Sequence, residues 1–193
     1  MKLIFNNSIL ILEKPIILRP SQNHRATVNG SYVLQCVIKS GSQPIFFEWS
    51  KNNHPLTSSI YKIDTYKTLS LLTMEHLQPN ASGFYKCIAR NVYGSDFIET
   101  HLEIQVPPSW IKEPTDVNLR IGEEYSVECL ADGLPKPKVK WITYSGKTIE
   151  SEVLDLSNLI KNEKNGRQSL TFECVADNGI GDALRKTITV SYN

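Results

Sequence analysis

Along most of the chain hydrophobic and polar residues change places every one or two positions, in runs too short for helices. Gly, Pro, Asn and Ser break these runs at short intervals. Alternation with a period of two is the signature of a half-buried strand, and helical 3.6-residue periodicity is hard to find, so the pattern predicts an all-β chain. Strand parity follows from the same alternation, because every second residue shares a face. In Val33-Leu34-Gln35-Cys36-Val37-Ile38, an inward Cys36 carries Leu34 and Ile38 inward and sends Val33, Gln35 and Val37 outward. In Leu69-Ser70-Leu71-Leu72-Thr73-Met74, with Leu72, Met74 and Leu77 inward, Leu69, Leu71 and Thr73 point outward.

The cysteines turn this pattern into an architecture. Cys36 and Cys87 are 51 residues apart, and Cys129 and Cys174 are 45 apart. Trp49 and Trp141 follow the first member of each pair, thirteen and twelve residues on. No two cysteines have the close spacing of a zinc knuckle. A Cys…Trp…Cys spacing that occurs twice resembles the immunoglobulin sandwich, in which a disulfide joins strands B and F over a strand-C tryptophan. The resemblance implies Cys36–Cys87 and Cys129–Cys174 bridges, packed on core tryptophans Trp49 and Trp141. Each would constrain a loop of about 50 residues, worth on the order of 4 kcal/mol in the chain-entropy model. Such bridges persist in oxidising surroundings and imply an extracellular location. The alternative is four unrelated buried thiols.

The two halves repeat each other. Cys87-Ile88-Ala89-Arg90-Asn91-Val92-Tyr93-Gly94 aligns with Cys174-Val175-Ala176-Asp177-Asn178-Gly179-Ile180-Gly181. Both repeats resemble the I-set of the immunoglobulin superfamily. Tyr85 occupies the tyrosine-corner position two before the cysteine, and Phe172 stands there in the second repeat. The acidic residue that the family carries six before the cysteine is replaced by Ala81 and Gln168. Three stretches narrow the resemblance: Val106-Pro107-Pro108-Ser109-Trp110, Asp132-Gly133-Leu134-Pro135-Lys136-Pro137, and Pro15-Ile16-Ile17-Leu18-Arg19-Pro20. Over about 14–193 the chain is similar to the arthropod Down syndrome cell adhesion molecule (Dscam) family. That resemblance implies a cell-surface recognition receptor that binds identical copies of itself.

The expected layout is two tandem immunoglobulin-like domains, 14–106 and 107–193, preceded by 1–13 as a leader, an added segment or an extra strand. Met1-Lys2-Leu3-Ile4-Phe5-Asn6-Asn7-Ser8-Ile9-Leu10 superficially resembles a signal peptide, but Asn6-Asn7-Ser8 interrupts its apolar stretch. Pro107-Pro108 without a Gly/Ser spacer predicts a stiff joint and an elongated rod. No apolar run approaches the ~18 residues of a membrane span, so a plasma-membrane anchor is expected outside this segment.

In the first domain, strands B and E share the A-B-E-D sheet, and Val33, Val37, Leu69 and Leu71 make its outer face apolar. The matching outward positions of the second domain, Ser126, Glu128, Leu130, Val153, Asp155 and Ser157, are mostly polar. A contiguous apolar patch marks a contact site, which predicts antiparallel homophilic pairing of domain 1 with domain 1. Gln35, Thr73 and Arg25 are expected to form its polar rim. The opposite face, with Phe46, Phe84 and Ile88 outward beside Glu48 and Lys86, is the second candidate. Three Asn-x-Ser triplets, at Asn6, Asn29 and Asn80, fit the N-glycosylation pattern. Asn29 and Asn80 fall in turns at one end of the sandwich and leave both faces bare.

With hydrophobic residues at 40%, charged residues at 21% and net charge +1, composition fits a globular chain and gives no basic footprint for nucleic acid. No nucleophile elbow, phosphate loop or His-Glu-x-x-His motif appears, and His24, His54, His76 and His101 are scattered. The expectation is a non-enzyme without cofactor or metal. Other partners fit the same fold. One is a different protein ligand. Another is a glycosaminoglycan on the alternating Lys136, Lys138 and Lys140, with Lys147 nearby. A cytosolic structural spacer is a third class, distinguished by four free thiols.

Overall fold

The computed structural model describes residues 2–5, 8–56, 61–120, 122–157 and 169–192, with side chains from residue 12 onward. The chain divides into two compact units, Met1–Ile104 and Gln105–Asn193. Both are built mainly from antiparallel strands around a disulfide.

The first unit begins with two short paired strands, β1 (Lys2–Phe5) and β2 (Ser8–Ile11). Its sandwich contains β3 (Ile16–Ile17), β4 (Asn23–Thr27), β5 (Tyr32–Ser40), β6 (Phe46–Lys51) and β7 (His54–Pro55). These are followed by β8 (Lys62–Thr65), β9 (Leu69–Met74), β10 (Gly83–Asn91) and the first part of β11 (Gly94–Lys112). One sheet has the order β3-β5-β9-β8; the other contains β11-β10-β6-β7, with β4 also paired to β11. In immunoglobulin terms these are the A-B-E-D sheet and the A′-G-F-C-C′ sheet. Alternation has done what parity predicts: Leu34, Cys36, Leu72, Met74 and Leu77 are buried between the sheets with Trp49 and Tyr85.

Residue 13 is tied into this unit. Ser42 N donates to Glu13 O at 3.1 Å, and Asn91 Nδ2 donates to the same carbonyl at 2.9 Å.

In the second unit, the later part of β11 pairs with β14 (Leu130–Leu134), so Val106 hydrogen-bonds within this unit. The sheet element β13 (Ser126–Glu128) pairs with β17 (Val153–Asp155). The other sheet has the order β12 (Val117–Leu119), β19 (Leu184–Tyr192), β18 (Ser169–Asp177), β15 (Lys138–Thr143), β16 (Thr148–Ile149). The strand β12 joins β19 in parallel. Trp141, Phe172, Leu154, Leu156 and Leu170 fill the core. No helix among the described residues is long and apolar enough to cross a membrane.

The predicted bridges are present, Cys36–Cys87 and Cys129–Cys174, and no described cysteine is free. Trp49 lies directly opposite Cys87, and Trp141 directly opposite Cys174, so each indole packs beside its disulfide. The Tyr85 hydroxyl donates to Ala81 O at 2.7 Å, which closes the tyrosine corner; Phe172 is buried at the equivalent place without a hydroxyl.

Candidate binding faces of the first unit

The six outward residues predicted for strands B and E form three directly opposed cross-strand pairs. The β5–β9 register sets Val33 against Thr73, Gln35 against Leu71 and Val37 against Leu69. Their inward neighbours Leu34, Cys36, Ser70 and Leu72 are buried. Val33 is 42% exposed and Gln35 is exposed, whereas Val37, Leu69, Leu71 and Thr73 are half-buried by their own neighbours. Ile16 of β3 and Leu18 just after it are also exposed, and Leu18 N donates to Val37 O at 2.8 Å. At the β8 edge, Lys62 lies opposite Thr73 and Asp64 opposite Leu71, and their side chains pair with each other at 3.5 Å. The face is thus an apolar and uncharged centre with one self-neutralised ion pair on its margin.

Arg25 is not part of this margin. It lies on β4, which pairs with β11 in the opposite sheet, and its Nε donates to Glu103 Oε2 at 3.1 Å. The chain changes sheets between β3 and β4, at Pro20, which has no N–H to continue the β3 ladder. Parity arguments cannot see this switch, because alternation says which way a side chain points but not which sheet carries it.

The opposite face carries larger exposed apolar groups. Phe46, Phe84 and Phe97 are 65%, 52% and 53% exposed. Glu48 and Lys86 do not pair with each other. Glu48 instead pairs with Arg90 at 3.4 Å, while Lys86 Nζ sits 4.2 Å from the centre of the Phe97 ring. Phe84 stacks on His101 with ring centres 4.7 Å apart. Phe97 lies on β11, where alternation about the buried Ile98 sends it outward.

Asn29 and Asn80 are exposed in adjoining turns. Asn29 N donates to Leu77 O at 2.7 Å, and Gln78 Nε2 donates to Asn29 Oδ1 at 3.2 Å. Asn80 lies in a short 3-10 turn, Pro79–Ala81. Asn6 lies outside the described residues.

The histidines stay dispersed. His24 bonds to the Tyr32 hydroxyl and Ser21 O, His54 to Asn52 O, and His101 packs on Phe84. In the second unit, the lysine stripe is interleaved with carboxylates: Lys136 Nζ is 2.8 Å from Glu152 Oε1, and Lys138 lies directly opposite Asp177. That arrangement leaves little of the continuous positive field a sulfated sugar needs. The outward residues that serve as contrast, Ser126 opposite Asp155 and Glu128 opposite Val153, set one exposed valine among polar and charged groups.

One pair of structural residues was only half visible in the repeat. Asn91 Nδ2 donates to Glu13 O and Ser42 O, and its Oδ1 accepts from Tyr93 N. Asn178 does the same in its own unit: Nδ2 donates to Val106 O and Pro135 O, and Oδ1 accepts from Ile180 N. The aligned asparagines signalled a turn; their clasp on the strand-A end and the loop before strand C did not show.

Comparison with known proteins agrees with this geometry. An immunoglobulin domain family model matches residues 14–91, and the immunoglobulin I-set domain model matches residues 108–188. The chain is 34% identical over 173 residues to cell adhesion molecule Dscam1 of Drosophila melanogaster, covering 81% of this chain and 8% of that protein. Among solved structures, the N-terminal eight immunoglobulin domains of DSCAM isoform 1.30.30 are 29% identical, with a TM-score of 0.74 over 93% of this chain and 25% of that one. Titin domains I67–I69 share the fold at a TM-score of 0.76, 22% identity and 93% and 66% coverage. The chain therefore spans only a small part of the length of the adhesion molecules it matches.

Proposed function

We infer, from a chain that belongs to the immunoglobulin superfamily and from the uncharged outer face of its first unit, that it is an extracellular part of a cell-surface adhesion receptor. Its first domain pairs, antiparallel, with the first domain of an identical molecule through the β3-β5-β9-β8 face. The observation that carries this reading is the set of three opposed pairs Val33–Thr73, Gln35–Leu71 and Val37–Leu69.

A two-fold contact requires a surface complementary to itself. Antiparallel pairing centred on the Gln35–Leu71 row brings Val33 against Val37 of the second copy and Leu69 against Thr73; at the margin of the same row Asp64 meets its own copy, each carboxylate paired with Lys62 of its own chain. The same operation on the opposite face, centred on Ile88, would set Lys86 against Arg90 of the second copy, a repulsive arrangement. Thr73 and Gln35 supply polar groups, and the Lys62–Asp64 pair supplies the rim in place of Arg25. Such a contact is weak, around micromolar, and many copies on apposed membranes give avidity. Similarity to proteins named cell adhesion molecules supports the reading, as do two disulfides of the kind that persist outside the cytosol.

The exposed Phe46, Phe84 and Phe97 favour a second reading, contact with a different protein through the opposite face. Analytical ultracentrifugation across concentration separates the two. The parent chain should self-associate, Leu71→Asp should be monomeric because it places an unpaired charge in the patch, and Phe84→Ser should behave like the parent. A monomeric Phe84→Ser beside an associating Leu71→Asp would overturn the homophilic face.

A further inference from the structure

The outer face of β10 and β11 holds an open groove of about 420 Å³, lined by Arg19, Asn23, Phe84, Phe97, Glu99 and His101. That volume lies at the lower end of the ~300–1,000 Å³ that ligand sites occupy. Phe97 and His101 flank Glu99 on β11, and Lys86 lies directly across on β10. The cations around the groove are already engaged. Arg19 bonds to Asp96 and the Phe97 carbonyl, Arg25 holds Glu103, Arg90 holds Glu48, and Lys86 Nζ sits over the Phe97 ring. Glu99 is exposed, and among the described residues no ion pair or hydrogen bond engages its carboxylate.

We propose that this groove takes an arginine side chain of a different protein, its guanidinium bonded to the Glu99 carboxylate and laid against the Phe84 and Phe97 rings. This rests on the second reading above, contact with a different protein through the opposite face, and is independent of the homophilic face. A carboxylate that a docking partner dries is costly unless the partner also brings the cation. A guanidinium donates two parallel hydrogen bonds to one carboxylate while its flat face stacks on aromatic rings; a lysine ammonium lacks the fork and the plane. The exposed rings also give the apolar stem of the side chain a surface to lie on. An apolar side chain would cover the rings but leave Glu99 desolvated and unpaired. A partner carboxylate would meet Glu99 as a like charge.

Lys86 is the built-in competitor. It stands opposite Glu99 in the strand register, yet its ammonium lies 4.2 Å from the centre of the Phe97 ring. A guest cation must bind beside it, so the groove selects a group that gains from both the carboxylate and the rings and rejects one that offers charge alone. Removing the Lys86 ammonium takes away a like charge and should tighten binding of the guest.

Small probes test the chemistry directly. The isotope-labelled full chain is titrated with N-acetyl-arginine methylamide, with N-acetyl-citrulline methylamide (the same shape without the charge) and with N-acetyl-glutamate methylamide, and backbone amide shifts are followed by NMR. The arginine probe should shift the amides of Phe84, Phe97, Glu99 and His101 saturably in the millimolar range, about fivefold or more tightly than the citrulline probe. Glu99→Gln should bring arginine binding down to the citrulline level. Lys86→Met should tighten it about twofold or more, and Leu71→Asp, on the other sheet, should leave it unchanged. The thermal melt of Glu99→Gln should match the parent, since the carboxylate is exposed and unpaired, so lost binding with a parental melt reports the site and not the fold. Equal binding of the arginine and citrulline probes, preference for the glutamate probe, or unchanged arginine binding in Glu99→Gln overturns the guanidinium site and leaves the face as a partner surface. No saturable shift in the groove with any of the three probes brings down both the proposal and the reading on which it rests.

Discussion

Trp49 Nε1 donates to Ser70 Oγ at 2.9 Å inside the first core, with Ser70 directly opposite Cys36 on β9. The serine is itself buried, and its hydroxyl also meets Thr65 Oγ1 at 3.2 Å. In the second unit, the residue at the corresponding place is Glu152, just before β17, whose carbonyl accepts the Cys129 N–H while its carboxylate pairs with Lys136. Trp141 Nε1 accordingly has no hydrogen-bond partner among the described residues. Two indoles with the same packing role thus differ in polar satisfaction.

Ser70→Ala should therefore destabilise the first domain by about 1–3 kcal/mol, the cost of a buried donor left unpaired. Denaturant unfolding followed by tryptophan fluorescence measures it. A neutral effect would mean that the hydroxyl contributes nothing net to the indole bond.

The tyrosine corner gives a test in alkali. Burial first, and then the neighbouring Tyr61, push the Tyr85 phenol well above its usual pKa. A group whose folded pKa is raised contributes stability that is fully present below its unfolded value of about 10 and is lost as pH rises beyond it. The parent should lose stability in that alkaline window more steeply than Tyr85→Phe. At neutral pH, the substitution should cost about 1–3 kcal/mol, because Ala81 O loses its 2.7 Å donor. Unfolding curves at neutral and alkaline pH read both effects.

Asp96 makes the opposite prediction in acid. It ties β3 to β11 by accepting Ile17 N–H at 2.9 Å, Arg19 Nη2 at 2.9 Å and Phe97 N–H at 3.0 Å. Burial alone raises the carboxyl, but the Ile17, Arg19 and Phe97 donors together with the Arg19 charge outweigh it and hold the pKa below the usual carboxylate range. A depressed folded pKa means stability that is present above about pH 3.9 and lost as pH falls through the folded value. Asp96→Asn should be less stable than the parent at neutral pH, and the gap should narrow in acid. Stability measured from neutral pH down to below pH 3 checks the sign.

The clasp asparagines predict matched effects in the two domains. Asn178→Ala removes two donors, to Val106 O at 2.8 Å and Pro135 O at 2.7 Å, and should destabilise the second domain by about 1–3 kcal/mol. Gly133 sits against the same amide: a Cβ there would come within 2.8 Å of Asn178 Nδ2 and 3.1 Å of Val106 O. Gly133→Ala should be at least as damaging, since backbone cannot move aside as a flexible side chain can. Domain-resolved calorimetry would show both losses in the second unit only.

Much of this was written in the linear sequence, and for a physical reason. The period-two alternation around Cys36 and Cys87 is local, so Leu34, Leu72 and Met74 could be assigned inward and Val33, Gln35 and Leu71 outward before any fold was known. The repeated Cys…Trp…Cys spacing resembles the immunoglobulin sandwich twice over, and that resemblance implied both disulfides with a strand-C indole on each. What the tertiary structure alone decided are relationships between strands distant in sequence. Alternation does not say that β5 and β9 align so that Gln35 faces Leu71, nor that the chain leaves one sheet at Pro20 and carries Arg25 to Glu103 in the other. It does not say that Asp96 clamps Ile17 and Arg19 from across the sandwich, or that Trp49 finds Ser70 while Trp141 finds no equivalent among the described residues. Each of these depends on hydrogen-bond register between strands, which is set by the packing of the whole core and has no signal in any one segment.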